Sequence, residues 1–93
     1  MSSPDCELCD AVRLTTRWHE DDVCWVAECE SCGVPMVVWK LHGVSPPTAV
    51  VHHMLERLRE VADEHGPPHY WIDDTLRTIR DHYHAHARRR PFT

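Results

Sequence analysis

Four cysteines in two Cys-x-x-Cys units are the residues of this sequence whose types and spacing point most directly to chemistry. The units are Cys6-Glu-Leu-Cys9 and Cys29-Glu-Ser-Cys32, and 19 residues separate them. Each unit offers two sulfurs from one tight turn, and the segment between them is long enough for a hairpin that brings the turns together. Gly33 follows the second unit and supplies the positive φ that such a turn commonly needs. We therefore predict one structural zinc ion held by Cys6, Cys9, Cys29 and Cys32, with four unmetallated core thiols as the alternative.

The run His82-Tyr83-His84-Ala85-His86-Ala87-Arg88 is the second group of residues that could do chemistry. On a β-strand its three imidazoles point to one face, whereas on a helix only His82 and His86 would do so. We predict the strand. A neutral imidazole can attack phosphorus, and neighbouring imidazoles and arginines can hold its tautomer and orient an anion. A histidine-rich exposed tail is the alternative.

Hydrophobic periodicity predicts the elements that position these residues. Alternating or β-branched apolar runs predict four strands, at residues 12–18, 23–28, 34–40 and 70–72. The run His19-Glu20-Asp21-Asp22 is predicted as a polar turn between the first two strands. Ser45 is predicted to cap a helix, since prolines follow it and apolar residues recur every three or four positions over residues 49–65. Gly66-Pro67-Pro68 is predicted to end that helix.

Three further residues of this region have side chains that bind metals elsewhere but are interpreted more simply. His52 and His53, near the start of the helix, are predicted as surface residues. Cys24 lies in an apolar run and is predicted as a core residue.

The length and charge of the chain limit the classes of protein to which it can belong. The chain has 93 residues, which predicts one domain over 1–93 with a core small enough for a metal to be a useful stabiliser. Five cysteines, an odd count, and the lack of a long apolar run predict a cytoplasmic protein with no membrane contact. The net charge is −5, yet the sequence after residue 76 has five arginines and one acidic residue, Asp81. A basic patch beside the histidines could therefore attract phosphate.

The histidine run resembles the signature of the histidine-triad (HIT) superfamily, in which a histidine alternates with an apolar residue three times. The segment from Gly33 to His42 is similar to that family's Gly-led third strand, which ends in lysine, any residue, histidine. Glu20-Asp21-Asp22-Val23 resembles its acidic turn, and the helix from Pro46 to His65 falls where the family has its long helix.

This resemblance implies an α+β fold, a small antiparallel sheet with one long helix packed across it, which is often dimeric and binds nucleotides. It implies that His84 is the nucleophile of a hydrolase or transferase, that His82 and His86 support it, and that His42 lines the substrate site. Arg88, which follows the histidines, is predicted to contact the substrate because an arginine can orient an anion. The chain departs from the family at residues 73–81, where the family has an asparagine and an Ala-Gly-Gln element that contact phosphate. A chain that binds nucleotides without catalysis is compatible with this departure.

The resemblance also implies a rival metal site, because zinc-bearing relatives use positions that correspond to Cys6, Cys9, His42 and His82. We favour the four-cysteine site, since the first hairpin carries Cys9 towards Cys29 while His42 lies at the other end of the strands. A second functional hypothesis is a non-enzymatic zinc-ribbon module that contacts another protein. The net negative charge makes nucleic acid an improbable partner.

Overall fold

A computed structural model of the chain describes residues 16–29, 33–76 and 82–90. These residues form five strands and one helix: β1 Arg17–Glu20, β2 Cys24–Glu28, β3 Pro35–Trp39, α1 Thr48–His65, β4 Tyr70–Asp73 and β5 His84–Arg89. The strands form one sheet in the order β1-β2-β3-β5-β4, and every neighbouring pair is antiparallel. The predicted small antiparallel sheet with one long helix is therefore confirmed.

Helix α1 packs across one face of this sheet through the apolar stripe that its sequence predicts. The buried residues of the helix recur every three or four positions, namely Met54, Leu58, Val61 and Ala62. They meet the inward-facing residues of the central strands, which are Cys24, Val26, Val37, Ala85 and Ala87. The prediction of Cys24 as a core residue is confirmed, since none of it is exposed. Burial of this stripe fixes which face of the sheet lies against the helix.

The ends of the helix differ in how well the sequence predicts them. The cap is Pro47 rather than Ser45, and no side chain bonds to the first turn. Instead, the backbone amides of Val50 and Val51 donate to the carbonyl oxygen of Pro47. Two consecutive prolines hold the chain extended up to Pro47, which displaces Ser45 from the first helical residue. The predicted stop at Gly66 is confirmed.

The first turn also lies two residues later than predicted. His19 and Glu20 belong to β1, and the backbone amide of Asp21 donates to the carbonyl oxygen of Cys24 to close the turn. The register of β1 against β2 is irregular between Arg17 and His19, which period-two counting does not anticipate. The predicted turn over residues 19–22 is thus wrong in its first half. Residues 12–15 of the predicted first strand lie outside the described residues.

Candidate functional site

Strand β5 carries two of the three predicted catalytic residues, His84 and His86. Ala85 and Ala87 pack in the core beneath α1, so strand alternation places both imidazoles on the opposite face of the sheet. The two ring centroids are 5.4 Å apart and the ring planes are 79° apart, which is an edge-to-face pair. Both residues are buried, with 6% of His84 and 7% of His86 exposed. The predicted strand is confirmed for these two residues.

The backbone holds the His84 ring in one orientation. Its Nδ1 atom lies 2.9 Å from the carbonyl oxygen of His82, and because a carbonyl only accepts, Nδ1 carries the proton and donates it. Nε2 then carries the lone pair. The pKa of His84 is lowered chiefly by burial, which outweighs the hydrogen bond to His82 and the negative charge of Asp73. Burial therefore favours the neutral form of the His84 ring, and the hydrogen bond places its proton on Nδ1.

The third predicted catalytic residue, His82, lies just before β5 rather than within it. Its backbone forms an isolated parallel bridge with Gly43, and the amide of Tyr83 donates to the Gly43 carbonyl oxygen at 2.6 Å. This connection brings the His42 ring beside the His82 ring, with centroids 5.3 Å apart and planes 89° apart. Nε2 of His82 donates to the carbonyl oxygen of Trp39 at 2.5 Å. The structure thus places His42 at the beginning of the histidine run.

Arg88, the other predicted substrate-binding residue, is fixed on β5 by an ion pair. Its Nε donates to Oδ2 of Asp73 at 2.6 Å, and the Asp73 side chain is fully buried. Burial would raise the pKa of Asp73, but the hydrogen bonds from Arg88 and from the backbone amide of Thr75 outweigh it and lower the pKa. Asp73 is also the cross-strand neighbour of His86. A guanidinium is therefore anchored two residues beyond His86, on the same face.

The predicted four-cysteine site falls mostly outside the described residues. Those not described are Cys6, Cys9 and Cys32. Cys29 follows β2 and is buried, and its carbonyl oxygen accepts the amide of Gly33 at 2.8 Å. Gly33 has a φ of 72°, so the positive φ predicted at this position is confirmed. Cys29 and His42 lie beyond opposite ends of the β2–β3 pair, as the sequence predicts. Both the four-cysteine site and its mixed rival stay predictions.

A different group of metal-ligating side chains comes together where β1, β2 and α1 meet. It consists of His19, Asp21, Cys24 and His53, which we name the β1–α1 cluster, and its four donor atoms all lie within 4.8 Å of one another. Asp21 Oδ2 lies 2.7 Å from Nε2 of His19 and 2.7 Å from Nε2 of His53. The sulfur of Cys24 lies 4.0 Å from the same oxygen. This group could hold a metal ion.

Sequence reasoning missed the β1–α1 cluster because each member has a simple local explanation. The sequence predicts His19 and Asp21 in a turn, Cys24 in the core and His53 on the surface. The surface prediction holds for His52, whose side chain is 76% exposed, whereas His53 is 38% exposed and also contacts Asp21. The spacing His-x-Asp-x-x-Cys is the one pattern in the sequence that indicates this cluster. The fourth member is 29 positions beyond Cys24, on another element.

Comparisons with known proteins assign neither a family nor a function to this chain. A scan against protein-family models found no matching family, and searches of curated proteins and of solved structures found no match. Within the described residues, α1 is not apolar enough to cross a membrane. Any functional conclusion therefore depends on the side chains themselves.

Proposed function

We propose that this chain binds a nucleotide through its phosphate and uses His84 as the nucleophile of a HIT-type hydrolase or transferase. The observation that carries this proposal is the hydrogen bond from His84 Nδ1 to the His82 carbonyl oxygen. It leaves Nε2 as the unprotonated nitrogen, and a lowered pKa keeps that lone pair unprotonated at neutral pH. Both properties are needed by an imidazole that attacks phosphorus.

The proposed reaction takes two displacements. In the first, the Nε2 lone pair of His84 forms a bond to the α-phosphorus while the bond from that phosphorus to the leaving group breaks. The leaving group departs with the electron pair and takes up a proton. In the second, water attacks the phosphorus and releases a proton to solvent, the P–N bond breaks, and His84 recovers its lone pair as the nucleoside monophosphate leaves. The chain needs no redox partner for either step.

The neighbouring residues supply orientation and charge. His86 lies edge-to-face with His84, and the anchored guanidinium of Arg88 is two residues further along the same face. Asp73 offsets most of the positive charge of Arg88, so the pair would act on the phosphate oxygens mainly by orienting them. The only helix in the part of the chain that the structure describes covers the other face. The imidazoles lie on the opposite face and both are buried there, so substrate binding would have to expose them.

Within the departure at residues 73–81, the acidic pair Asp73-Asp74 is less adverse to phosphate binding than the sequence suggests. Asp73 and Asp74 would repel a phosphate if both carboxylates faced it. Asp73 is instead paired with Arg88, and Asp74 accepts a hydrogen bond from the Tyr83 hydroxyl at 3.0 Å. The Tyr83 side chain belongs to the core on the helix side of the sheet. Each carboxylate thus has a structural partner, which supports phosphate binding despite the acidic pair.

A structural zinc ion at Cys6, Cys9, Cys29 and Cys32 belongs to the same proposal. The turn after β2 supports it, because the Gly33 amide donates back to the Cys29 carbonyl oxygen and Gly33 adopts a positive φ. A Cys-x-x-Cys unit at such a turn could offer two sulfurs to one ion. The zinc would tie the end of β2 to the N-terminal cysteines and would take no part in the displacement at His84.

Turnover of a nucleoside 5′-phosphoramidate or a dinucleoside polyphosphate tests the proposal. We expect the full chain to release a nucleoside monophosphate and His84→Asn to lose at least about 10³-fold of that activity while still binding the nucleotide. Asparagine keeps an N–H near the position of Nδ1 but has no nucleophilic Nε2. The matched control is His52→Asn, because His52 is 76% exposed on α1. Absence of binding and turnover in the wild-type chain, or equal turnover in His84→Asn, would contradict the proposal.

A further inference from the structure

The β1–α1 cluster is a convergence of four metal-ligating side chains that the proposed nucleotide site does not use. His19 lies on β1, Asp21 in the turn that follows, Cys24 at the start of β2 and His53 in the second turn of α1. The pairing of His53 with Asp21 spans 32 residues, so tertiary packing rather than chain proximity creates it. Cys24 is fully buried, whereas the side chains of His19, Asp21 and His53 are 30%, 27% and 38% exposed. A small ion could therefore enter from solvent and meet a buried sulfur.

Asp21 is oriented by its own backbone so that one oxygen faces the other members. Its Oδ1 accepts the backbone amides of Val23 at 2.8 Å and Cys24 at 2.9 Å. Its Oδ2 is the oxygen that both imidazoles and the Cys24 sulfur approach. This division of roles suits a carboxylate that ligates a metal through one oxygen while a second layer of hydrogen bonds holds the other.

We propose that His19, Asp21, Cys24 and His53 bind one Zn²⁺ ion in a tetrahedral site. Two imidazole nitrogens, one carboxylate oxygen and one sulfur are all donors that zinc accepts, and four is the number that closes a structural site. Zinc bond lengths give ligand separations of about 3.3 to 3.6 Å in a tetrahedron. The separations here run from 2.7 Å to at most 4.8 Å, so shifts of about 1 Å would bring the four donors into place.

Zinc binding at this site requires a defined movement of protons. Each Nε2 that now bonds to Asp21 Oδ2 must present a lone pair to the ion, so the proton of a neutral His19 or His53 moves to Nδ1. The Cys24 thiol must release its proton to solvent, because the thiolate is the ligand. Zinc uptake thus exchanges two hydrogen bonds and one S–H for four coordinate bonds.

The site would connect the edge of the sheet to the beginning of α1. His53 comes from the helix and the other three ligands come from β1, the turn and β2, so one ion would cross-link the two layers. It is independent of the proposed catalysis, since His84 and His86 lie on the opposite face of the sheet. A small domain gains stability from such a link, because binding to the folded state alone favours folding.

Zinc stoichiometry of the full chain tests this inference with His53→Asn, and His52→Asn serves as the neighbouring control. We expect His53→Asn to bind one zinc equivalent fewer than the wild type, or to bind it at least about 100-fold more weakly. We expect His52→Asn to match the wild type, because His52 is 76% exposed and pairs with Glu56, which is itself exposed. Far-ultraviolet circular dichroism checks that both variants fold. Equal stoichiometry and affinity in the wild type and His53→Asn would overturn the inference and leave only histidine–carboxylate hydrogen bonds.

Cobalt(II) substitution reports the sulfur ligand separately. A tetrahedral Co²⁺ site with one thiolate has a thiolate-to-metal charge-transfer band, and we compare this band in the wild type and in Cys24→Ser. The charge-transfer intensity that Cys24→Ser loses should correspond to one sulfur ligand per chain. Any band from the other cysteines should be present in both spectra. No difference between the two spectra, with both chains folded, would remove Cys24 from the ligand set and overturn the four-ligand site.

Discussion

The Nδ1 atom of His84 donates to the carbonyl oxygen of His82 across 2.9 Å, within the same short run of the chain. This hydrogen bond is local, but it depends on the extended backbone that β5 gains by pairing with both β3 and β4. It fixes which ring nitrogen carries the proton and directs the other away from the backbone. The geometry of the sheet thereby sets the chemistry of one imidazole.

The titration of His84 follows from its burial. We expect the His84 ring, followed by nuclear magnetic resonance, to titrate below the ordinary histidine value of 6.5, because burial disfavours the charged ring. The unfolded chain then binds more protons than the folded chain below pH 6.5. The free energy of unfolding should therefore be highest above that pH and fall as pH decreases towards the lowered pKa, by up to about 1.4 kcal/mol per pH unit.

The matched variant for this titration is His84→Asn, whose side chain does not ionise. Urea unfolding of both chains at about pH 7.5 and about pH 5 isolates the contribution of His84, because the other titrating groups are shared. The wild type should lose more stability between the two pH values than the variant does. The same loss in both chains would show that the His84 pKa is unchanged by folding.

The ion pair between Arg88 and Asp73 should contribute to stability as well as to charge. Replacing Arg88 with Met leaves a fully buried carboxylate without its charged donor, and we expect a loss of about 2 kcal/mol in the free energy of unfolding. Arg89→Met is the control, since Arg89 is the exposed neighbour on the same strand. Denaturant unfolding at pH 7 measures both variants. Equal stability of the two would mean that the pair contributes nothing measurable.

The two zinc sites should behave independently. Cys29→Ser combined with Cys32→Ser should remove one zinc equivalent if the four-cysteine prediction is correct, and His53→Asn should remove a different one. A chain that carries all three substitutions should then lose two zinc equivalents, because the four-cysteine group and the β1–α1 cluster share no ligand. Metal content of the purified chains, measured by atomic emission, gives the result.

The rival mixed site makes the opposite prediction for the same variants. If Cys6, Cys9, His42 and His82 hold the ion, the Cys29 and Cys32 substitutions leave the zinc content unchanged, whereas His42→Asn lowers it. His42 and His82 do lie together, with ring centroids 5.3 Å apart. Zinc content that falls only with His42→Asn would replace the four-cysteine assignment.

The fold was largely predictable because burial imposes periodicity on the sequence. A helix is predicted by the spacing of its apolar residues Met54, Leu58, Val61 and Ala62, and a strand is predicted by the β-branched run up to Trp39. Two details were not predictable from such patterns. The irregularity between Arg17 and His19 depends on how β1 pairs with β2, and the choice of Pro47 over Ser45 as the helix cap depends on backbone angles.

The candidate sites were predictable only where the chain itself brings residues together. Alternation along β5 was enough to place His84 and His86 on one face. The contact of His53 with Asp21 depends on how α1 lies across the sheet, and no local pattern encodes that crossing. The same holds for Arg88 and Asp73, whose contact needs the pairing of β4 with β5. Both contacts need the tertiary structure.

The mass of the chain during turnover tests the central claim about His84 most directly. Rapid quenching during reaction with a nucleoside 5′-phosphoramidate should reveal a chain heavier by one nucleoside monophosphoryl group. We expect the group to be acid-labile, as a P–N bond is, to map to the peptide containing His84, and to be absent from His84→Asn. An adduct on another residue, an adduct that persists in His84→Asn, or turnover with no adduct at any quench time would contradict the account.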